Sequence, residues 1–334
     1  MFDDADAFDS AESWPSETDF EPAAEPDPEL LIHRVSAFDG GLNADDIKRR
    51  LARGDWQVVR RGVYIRQPDV AALTQERFHR LRIKAALPQL ADRYVVSHLS
   101  AACLHELELI RPLGTAVQVT DPKAGSGRKR RLLQIFCAKI SLDEITTVDG
   151  SPVTSVARTI VDLARQYGFE QGVVAADHAL RTGRVAREEL QACLAGAERR
   201  CGIRMAHQVI AFADGDAESA GESRSRIMIM RQRLPKPELQ FRVTNGSGVF
   251  VARTDFRWRE YNTVGEFDGA EKYGRRLRPG RSPGDAFVEE KLREDRIREL
   301  GINVVRWSWG ELDDPQALAD KIRRALARGR AMAG

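Results

Sequence analysis

Two carboxylates in the C-terminal third are spaced so that they could hold a metal ion together. The runs 249–258 and 263–268 are rich in residues that favour strands, and Arg259-Glu-Tyr-Asn262 is long enough to join them as a hairpin. A symmetric hairpin places Asp255 directly opposite Glu266. Two opposed carboxylates need a cation between them, and Mg²⁺ binds one or two carboxylates together with phosphate oxygens. The spacing therefore favours metal-assisted chemistry on a phosphate ester.

Alternation along these strands separates an apolar face from a charged face. The apolar face contains Phe250, Ala252, Thr254, Phe256, Trp258 and Phe267, and the charged face contains Arg253, Asp255, Arg257, Glu266 and Asp268. A protein cation, Arg253 or Lys272, could neutralise the acids in place of a metal. In that case the charged face is an ordinary neutralised surface.

The flanking segments predict the elements that position these acids. Residues 217–226 open a helix on which Glu218 and Glu222 share a face, and a second helix begins at Asp285 and stops at Gly301. Residues 302–309 alternate like a strand. The order helix, hairpin, helix, strand, helix predicts an α/β domain whose acids collect beside the sheet.

Residues 215–312 resemble the PD-(D/E)xK nuclease superfamily, and more closely its branch related to very-short-patch repair endonucleases. The resemblance is carried by Glu222 with Arg226, by Asp255, by Glu266-Phe-Asp-Gly-Ala-Glu-Lys272 and by Glu290-Lys-Leu-Arg-Glu-Asp-Arg296. It implies a Mg²⁺ (or Mn²⁺) dependent endonuclease with Asp255, Glu266 and Asp268 as metal ligands, and Asp255, Glu266, Lys272 and Glu222 as catalytic residues. The family usually has Lys where this chain has Asp268, so Lys272 would have to supply that cation.

A basic region near the N-terminus predicts contact with nucleic acid. Asn43 can cap a helix that contains Ile47 and Leu51 and ends at Gly54, and two short strands follow it around a basic turn. Helix and hairpin together are typical of the second half of a winged helix. The predicted phosphate contacts are Arg49, Arg50, Arg53, Arg60 and Arg61, with Lys129 and Arg130 in a second basic loop. An ordinary solvated helix face is the alternative.

Four short motifs between residues 35 and 200 resemble those of a known family. They are Gly62-Val-Tyr64, Val96-Ser-His-Leu-Ser-Ala-Ala102, Thr154-Ser-Val-Ala-Arg-Thr-Ile-Val-Asp162 and Ala175-Ala-Asp-His-Ala-Leu180. They are similar to actinobacterial proteins that begin with an AbiEi-type antitoxin winged helix. The resemblance implies a DNA-binding winged helix with a helical scaffold behind it. DNA is then the expected partner, with a toxin or self-association as further options.

Charge and length divide the chain into unlike parts. Residues 1–29 contain eleven of the 50 acidic residues and no Lys or Arg, which leaves 39 acidic against 52 basic residues in the remainder. Such an acidic segment is typical of a disordered tail, which is either simply solvated or a competitor that covers a cationic surface. We predict an α+β multidomain protein with a tail (1–29), a winged-helix-like domain (30–70), a mostly helical scaffold (71–205) and an α/β restriction-endonuclease-like domain (206–334).

The remaining composition argues against a membrane or secreted protein. The four cysteines lack metal-ligand spacing, and no apolar run approaches the roughly 18 residues of a membrane span. The acidic N-terminus does not look like a signal peptide. We therefore predict a cytoplasmic protein that does not contact membranes. The leading function is a DNA-binding endonuclease, and the alternatives are an antitoxin-like transcriptional regulator with a degenerate nuclease fold and a structural interaction protein.

Overall fold

The computed structural model describes residues 28–197, 200–269 and 283–333, with the backbone alone for 283–290. The chain divides into two compact units, Met1–Ala85 and Ala86–Gly334. Both units combine helices with sheet, which confirms the α+β class. The winged-helix and endonuclease-like folds, and the finer four-part division of the chain, remain predictions. Within the described ranges no helix is long and apolar enough to cross a membrane.

The first unit contains a small antiparallel sheet with the strand order β1-β3-β2. Its strands are β1 (Ile32–His33), β2 (Trp56–Arg60) and β3 (Val63–Arg66). Its helices are α1 (Arg34–Asp39), α2 (Ala44–Arg53), α3 (Gln67–Ala71) and α4 (Gln75–Ala86). The helix predicted after Asn43 and the two strands that follow it are confirmed.

Local chemistry explains why α2 lies where it does. The Asn43 side chain accepts a hydrogen bond from the Asp46 N–H, and the Asp46 carboxylate accepts one from the Asn43 N–H, which forms a capping box. Gly54 ends the helix in the left-handed conformation at φ 77°. Ile47 then packs with Trp56 and Tyr64 in a small core, so the helix is held against the hairpin.

The second unit begins with a six-stranded mixed sheet of order β6-β7-β5-β4-β9-β8. Its strands are β4 (Val95–Val96), β5 (Val117–Asp121), β6 (Arg128–Arg130), β7 (Leu133–Cys137), β8 (Ile145–Val148) and β9 (Ser151–Thr154). The accompanying helices are α5 (His98–Leu104), α6 (Val156–Tyr167), α7 (Phe169–Arg181), α8 (Arg187–Ala195) and α9 (Ile203–Phe212).

The prediction of a mostly helical scaffold over 71–205 understates this sheet. The sequence predicts helices near 74–91, 97–108, 155–167, 169–181 and 186–198, and α4 to α8 correspond to them. It also predicts strands at 115–121 and 132–137, which correspond to β5 and β7. Strands β4, β8 and β9 were missed because two to four residues are too few to show alternation. Strand β6 was missed because its three residues are all basic and exposed, so it has no apolar face.

The second unit ends with a four-stranded sheet of order β10-β11-β12-β13, in which only the β12–β13 pair is parallel. Its strands are β10 (Glu238–Thr244), β11 (Phe250–Trp258), β12 (Thr263–Asp268) and β13 (Asn303–Ser308). Its helices are α10 (Ala220–Arg231), α11 (Pro283–Glu299), α12 (Trp309–Leu312) and α13 (Pro315–Ala333). The predicted order is confirmed, and β10 is an additional edge strand.

Both faces of the four-stranded sheet carry apolar clusters. Phe256, Trp258 and Phe267 lie in the larger cluster, which extends to Trp307 and to α13. A smaller cluster joins Val264 of β12 to Ile297 of α11. The face predicted to be a charged surface is therefore partly covered by a helix, and its acids lie at the border of that packing.

Candidate nucleic-acid interface and acidic cluster

The cations of α2 and of the β2–β3 hairpin lie at the surface of the first unit. Lys48, Arg49, Arg50 and Arg53 are exposed on the helix, Arg61 and Arg66 are exposed on the hairpin, and Arg60 is half-buried. The predicted residues Arg49, Arg50, Arg53, Arg60 and Arg61 thus belong to one helix and its adjoining hairpin. We call them, with Lys48 and Arg66, the helix–hairpin patch.

Two members of the patch are held in place by neighbouring side chains. Arg49 forms an ion pair with Asp46 at 2.5 Å, and the Arg50 guanidinium lies over the Trp56 ring at 5.1 Å from its centroid. Arg53 forms no ion pair with the described residues. A patch with both positioned and uncommitted cations is suited to phosphate groups, because each can exchange water for a phosphate oxygen.

A second set of exposed cations lies on the edge of the six-stranded sheet. Strand β6 consists of Arg128, Lys129 and Arg130, all exposed, and pairs only with β7 among the described strands. Neither Lys129 nor Arg130 forms an ion pair with a described residue. The predicted basic loop is thus a basic edge strand with all three cations exposed, and Lys129 points to the opposite face from Arg128 and Arg130.

In the second unit, Glu222 is buried at the first turn of α10. Its side chain is close to fully enclosed, at 8% exposure. Its carboxylate accepts hydrogen bonds from the Ser219 hydroxyl (2.8 Å), the Glu218 N–H (2.9 Å) and the Gln240 amide (2.8 Å). Burial, followed by the negative charge of Asp255, raises the pKa of Glu222 to about 7. Glu222 and Asp255 therefore lie close enough to oppose each other's ionisation.

The register of the predicted hairpin is confirmed. The β11–β12 ladder pairs Trp258 with Thr263, Arg257 with Val264 and Phe256 with Gly265, and one further step in this register opposes Asp255 to Glu266. At that step the Asp255 carboxylate accepts a hydrogen bond from the Phe267 N–H at 2.8 Å. Just beyond the last pair of the β11–β12 ladder, the Asp255 side chain therefore accepts the Phe267 N–H in place of a backbone carbonyl.

Two arginines from other elements contact Glu266 and its neighbouring acids. Arg293 of α11 lies 3.0 Å from a carboxylate oxygen of Glu266, and Arg306 of β13 lies 3.5 Å from the other. Arg306 also contacts Asp268 at 2.5 Å and Glu294 at 3.2 Å.

The sequence predicted Arg253 or Lys272 as the cation that neutralises these acids. Arg253 forms two 2.7 Å hydrogen bonds to Glu218 instead. Lys272 lies outside the described residues. Sequence reasoning missed Arg293 and Arg306 because they follow Glu266 by 27 and 40 positions. The parallel pairing of Glu266 with Arg306 becomes visible only once β12 and β13 are adjacent.

Most of the predicted metal ligands already have other contacts in the structure. Among the described residues, no group of three or more His, Cys, Asp or Glu side chains is placed to hold a metal ion. Glu266 and Asp268 already contact guanidinium groups, and Asp255 accepts a backbone N–H. The catalytic and metal-binding roles of Asp255, Glu266, Asp268, Glu222 and Lys272 stay predictions, as does the Mg²⁺ (or Mn²⁺) cofactor.

Arg226, which carried part of the nuclease resemblance, has a structural contact. Its guanidinium donates to Asp177 of α7 at 2.7 Å and lies over the Phe212 ring. The same Asp177 carboxylate accepts from the Ser223 hydroxyl and from the Asp214 N–H. Burial raises the pKa of Asp177 to about 6. This buried network ties α10 to the helices of the six-stranded sheet.

Comparison with known proteins relates the middle of the chain to an antitoxin domain. Residues 94–209 match the family described as AbiEi antitoxin C-terminal domain. This region contains all six strands of the six-stranded sheet, α5 to α8 and most of α9, and it lies C-terminal to the helix–hairpin patch. The AbiEi resemblance predicted from the motifs is thus supported in its second half, where three of the four motifs lie.

Two curated relatives come from Mycobacterium tuberculosis. They are the uncharacterized proteins MT2308 of strain CDC 1551 and Rv2248 of strain H37Rv, each 35% identical over 188 residues, or 56% of this chain. The chain spans 66%, slightly under two thirds, of the length of each relative. The crystal structure of the RV2827C protein from the same species aligns over 59% of this chain and 75% of its own, with 14% identity and a TM-score of 0.38.

Proposed function

We propose that this protein is a DNA-binding regulator of the toxin–antitoxin type. The observation that carries the proposal is the match of residues 94–209 to the AbiEi antitoxin C-terminal domain. The exposed cations of the helix–hairpin patch support it, because a helix followed by a basic hairpin is the geometry by which winged helices contact DNA. As part of the same proposal, the protein has a toxin as its protein partner.

A binding titration with salt variation tests the DNA-binding role. Duplex DNA from the region upstream of the protein's own gene is titrated with the full chain at several salt concentrations. Affinity should fall linearly on a double-logarithmic plot, and Arg53→Ala with Arg61→Ala should reduce the slope by about two, one for each lost phosphate contact. The matched control is Arg204→Ala, an exposed arginine on α9.

Two results would count against this role. One is a wild-type chain that binds no duplex at low salt. The other is a double variant whose slope equals that of the Arg204→Ala control. Equal weakening on promoter and unrelated duplexes is expected for these two residues, since phosphate contacts carry no sequence information.

The endonuclease is the second candidate, and one electrostatic interaction favours it. The charge of Asp255 raises the pKa of Glu222, and one further step in the register of the β11–β12 ladder would oppose Glu266 to Asp255. Such convergence of acids is what phosphodiester hydrolysis would use. The ion pairs of Arg293 and Arg306 argue in the other direction, because they already supply the positive charge.

Incubation with plasmid and single-stranded DNA in Mg²⁺ or Mn²⁺ separates the two candidates. The endonuclease requires that the wild type nick the plasmid and that Asp255→Ala and Glu266→Ala abolish nicking. Asp295→Ala, an exposed acid on α11, is the matched control. If the wild-type chain binds DNA without nicking it, the endonuclease is excluded and the regulator is the remaining candidate.

A further inference from the structure

An open groove lies in the second unit, between the end of α10 and the C-terminal half of α13. Its volume is about 530 Å³, and its lining includes Leu234, Pro235, Tyr261, Leu326 and Ala327. Volumes of 300 to 1,000 Å³ are typical of small-molecule sites. The groove is therefore large enough to hold a ligand the size of one nucleotide.

Three arginines complete the lining. They are Arg233 after α10 and Arg323 and Arg330 on α13. Arg323 is held by Asp320 at 2.6 Å and by the Gln232 carbonyl at 3.0 Å. Neither Arg233 nor Arg330 forms an ion pair with the described residues, and the described lining contains no carboxylate. The groove thus combines apolar contacts with two guanidinium groups that are free to bind an anion.

Arg233 occupies a backbone position that ordinarily favours glycine. The Arg233 N–H bonds to the Met230 carbonyl and the Leu234 N–H bonds to the Ile229 carbonyl, which closes α10 in a Schellman motif with Arg233 at φ 53°. A residue with a Cβ is strained in this conformation. Strained positions that keep a functional side chain cluster at ligand sites. Here the strain places a guanidinium at the mouth of the groove.

The opposite wall is fixed by close backbone packing. At Gly329 an added Cβ would overlap the Tyr261 carbonyl and the Thr263 hydroxyl, so α13 lies directly against the turn that carries Tyr261. Because Arg330 follows Gly329, this contact also fixes where Arg330 leaves the helix. Arg233 and Arg330 therefore extend from backbone positions that close contacts hold.

We propose that this groove binds a phosphate-bearing ligand of nucleotide size. Arg233 and Arg330 bind the phosphate, because guanidinium groups bind its oxygens through paired, charge-assisted hydrogen bonds. Tyr261, Leu234 and Pro235 contact the base. The site is distinct from the helix–hairpin patch, and the inference does not depend on the proposed DNA-binding role. A free nucleotide and a single-stranded nucleic acid share this chemistry.

Fluorescence anisotropy with a ribose-labelled ATP and a labelled oligo(dT) tests the site in the full chain. Arg330→Ala and Arg233→Gly should each weaken binding of the probe about tenfold, the effect of losing a charge-assisted hydrogen bond. Arg233→Gly should fold at least as well as the wild type, because glycine is relaxed at φ 53°. Arg328→Ala is the matched control, since Arg328 is exposed on α13 outside the groove.

Competition with unlabelled ligands distinguishes the two sources. Displacement of labelled ATP by ATP but not by oligo(dT) identifies a free nucleotide, and displacement by both identifies a nucleic-acid strand. The proposal is overturned if neither labelled probe binds at millimolar concentration, or if Arg328→Ala weakens binding as much as Arg330→Ala. Displacement of labelled oligo(dT) by an acidic peptide but not by unlabelled ATP would overturn the proposal as well.

Discussion

Glu222 shows how the surroundings of one side chain set its protonation. Three hydrogen-bond donors reach its carboxylate, yet burial and the neighbouring Asp255 oppose its charge more strongly. The result is a pKa of about 7, compared with the ordinary 4.5. Folding therefore favours the protonated form of Glu222.

A raised pKa predicts that Glu222 costs stability at high pH. Its favourable contribution is complete below about pH 4.5 and is lost as the pH rises through about 7, where the carboxylate ionises while buried. Glu222→Gln mimics the neutral form. We expect the variant to match the wild type near pH 4.5 and to exceed its free energy of unfolding at pH 8, by up to about 3 kcal/mol.

Urea unfolding of both proteins at the two pH values measures this difference. Glu260→Gln is the control, because Glu260 is exposed and its neutralisation should leave the difference unchanged with pH. A Glu222→Gln effect of the same size at both pH values would show that folding does not raise the pKa of Glu222.

Side chains differ in how far the sequence reveals their roles. The contacts of Asn43 and Asp46 were predictable, because a capping box involves residues three positions apart. The partners of Glu266 were not, because Arg293 and Arg306 reach it from another helix and another strand. Local hydrogen bonds can be read from spacing, whereas counter-ions from distant elements cannot.

Among the secondary-structure elements, the β11–β12 hairpin followed from its sequence and the six-stranded sheet did not. Two alternating runs joined by four residues permit one symmetric register, and that register is observed. In the six-stranded sheet, β4 pairs with β9, 57 positions later at Val96 and Val153. Short strands paired over such distances leave little local signal.

Helix α10 depends on a glycine for its position against the four-stranded sheet. A Cβ at Gly221 would overlap the Phe267 ring, which lies in the larger apolar cluster. We expect Gly221→Ala to lower the free energy of unfolding by about 1 to 3 kcal/mol, because the helix or the ring must shift. Gly310→Ala is the control, since its added Cβ meets nothing within 4 Å.

Thermal or denaturant unfolding of the two glycine variants provides the measurement. The expected order is wild type and Gly310→Ala together, with Gly221→Ala less stable. Equal stability of all three would mean that α10 does not pack against Phe267 as described.

For the whole molecule, the distribution of charge matters more than the net value of +2. Eleven acidic residues precede residue 30, and the rest of the chain has 52 basic and 39 acidic residues. A cationic body attracts polyanions, and we predict that the acidic segment on the same chain competes with them by ordinary electrostatics. Its effect should depend on charge and on ionic strength.

Removal of residues 1–29 should tighten nonspecific DNA binding several-fold at about 50 mM salt and change it little at about 500 mM, where charges are screened beyond a few ångströms. A full-length variant in which the eleven acids become Asn or Gln should behave in the same way. Filter binding on unrelated duplex DNA measures both. If the deletion tightens binding and the neutralised variant does not, the charge of the segment is not the cause.

The sequence by itself determined the α+β class, the capped helix, the hairpin register and the division of charge along the chain, because these follow from neighbouring residues. Only the tertiary structure decided what surrounds the acidic cluster. It places Arg293 and Arg306 on Glu266, Arg253 on Glu218, and Arg226 on the buried Asp177. The physical reason is that a charge binds whichever opposite charge the fold brings within about 4 Å, whatever their separation in sequence.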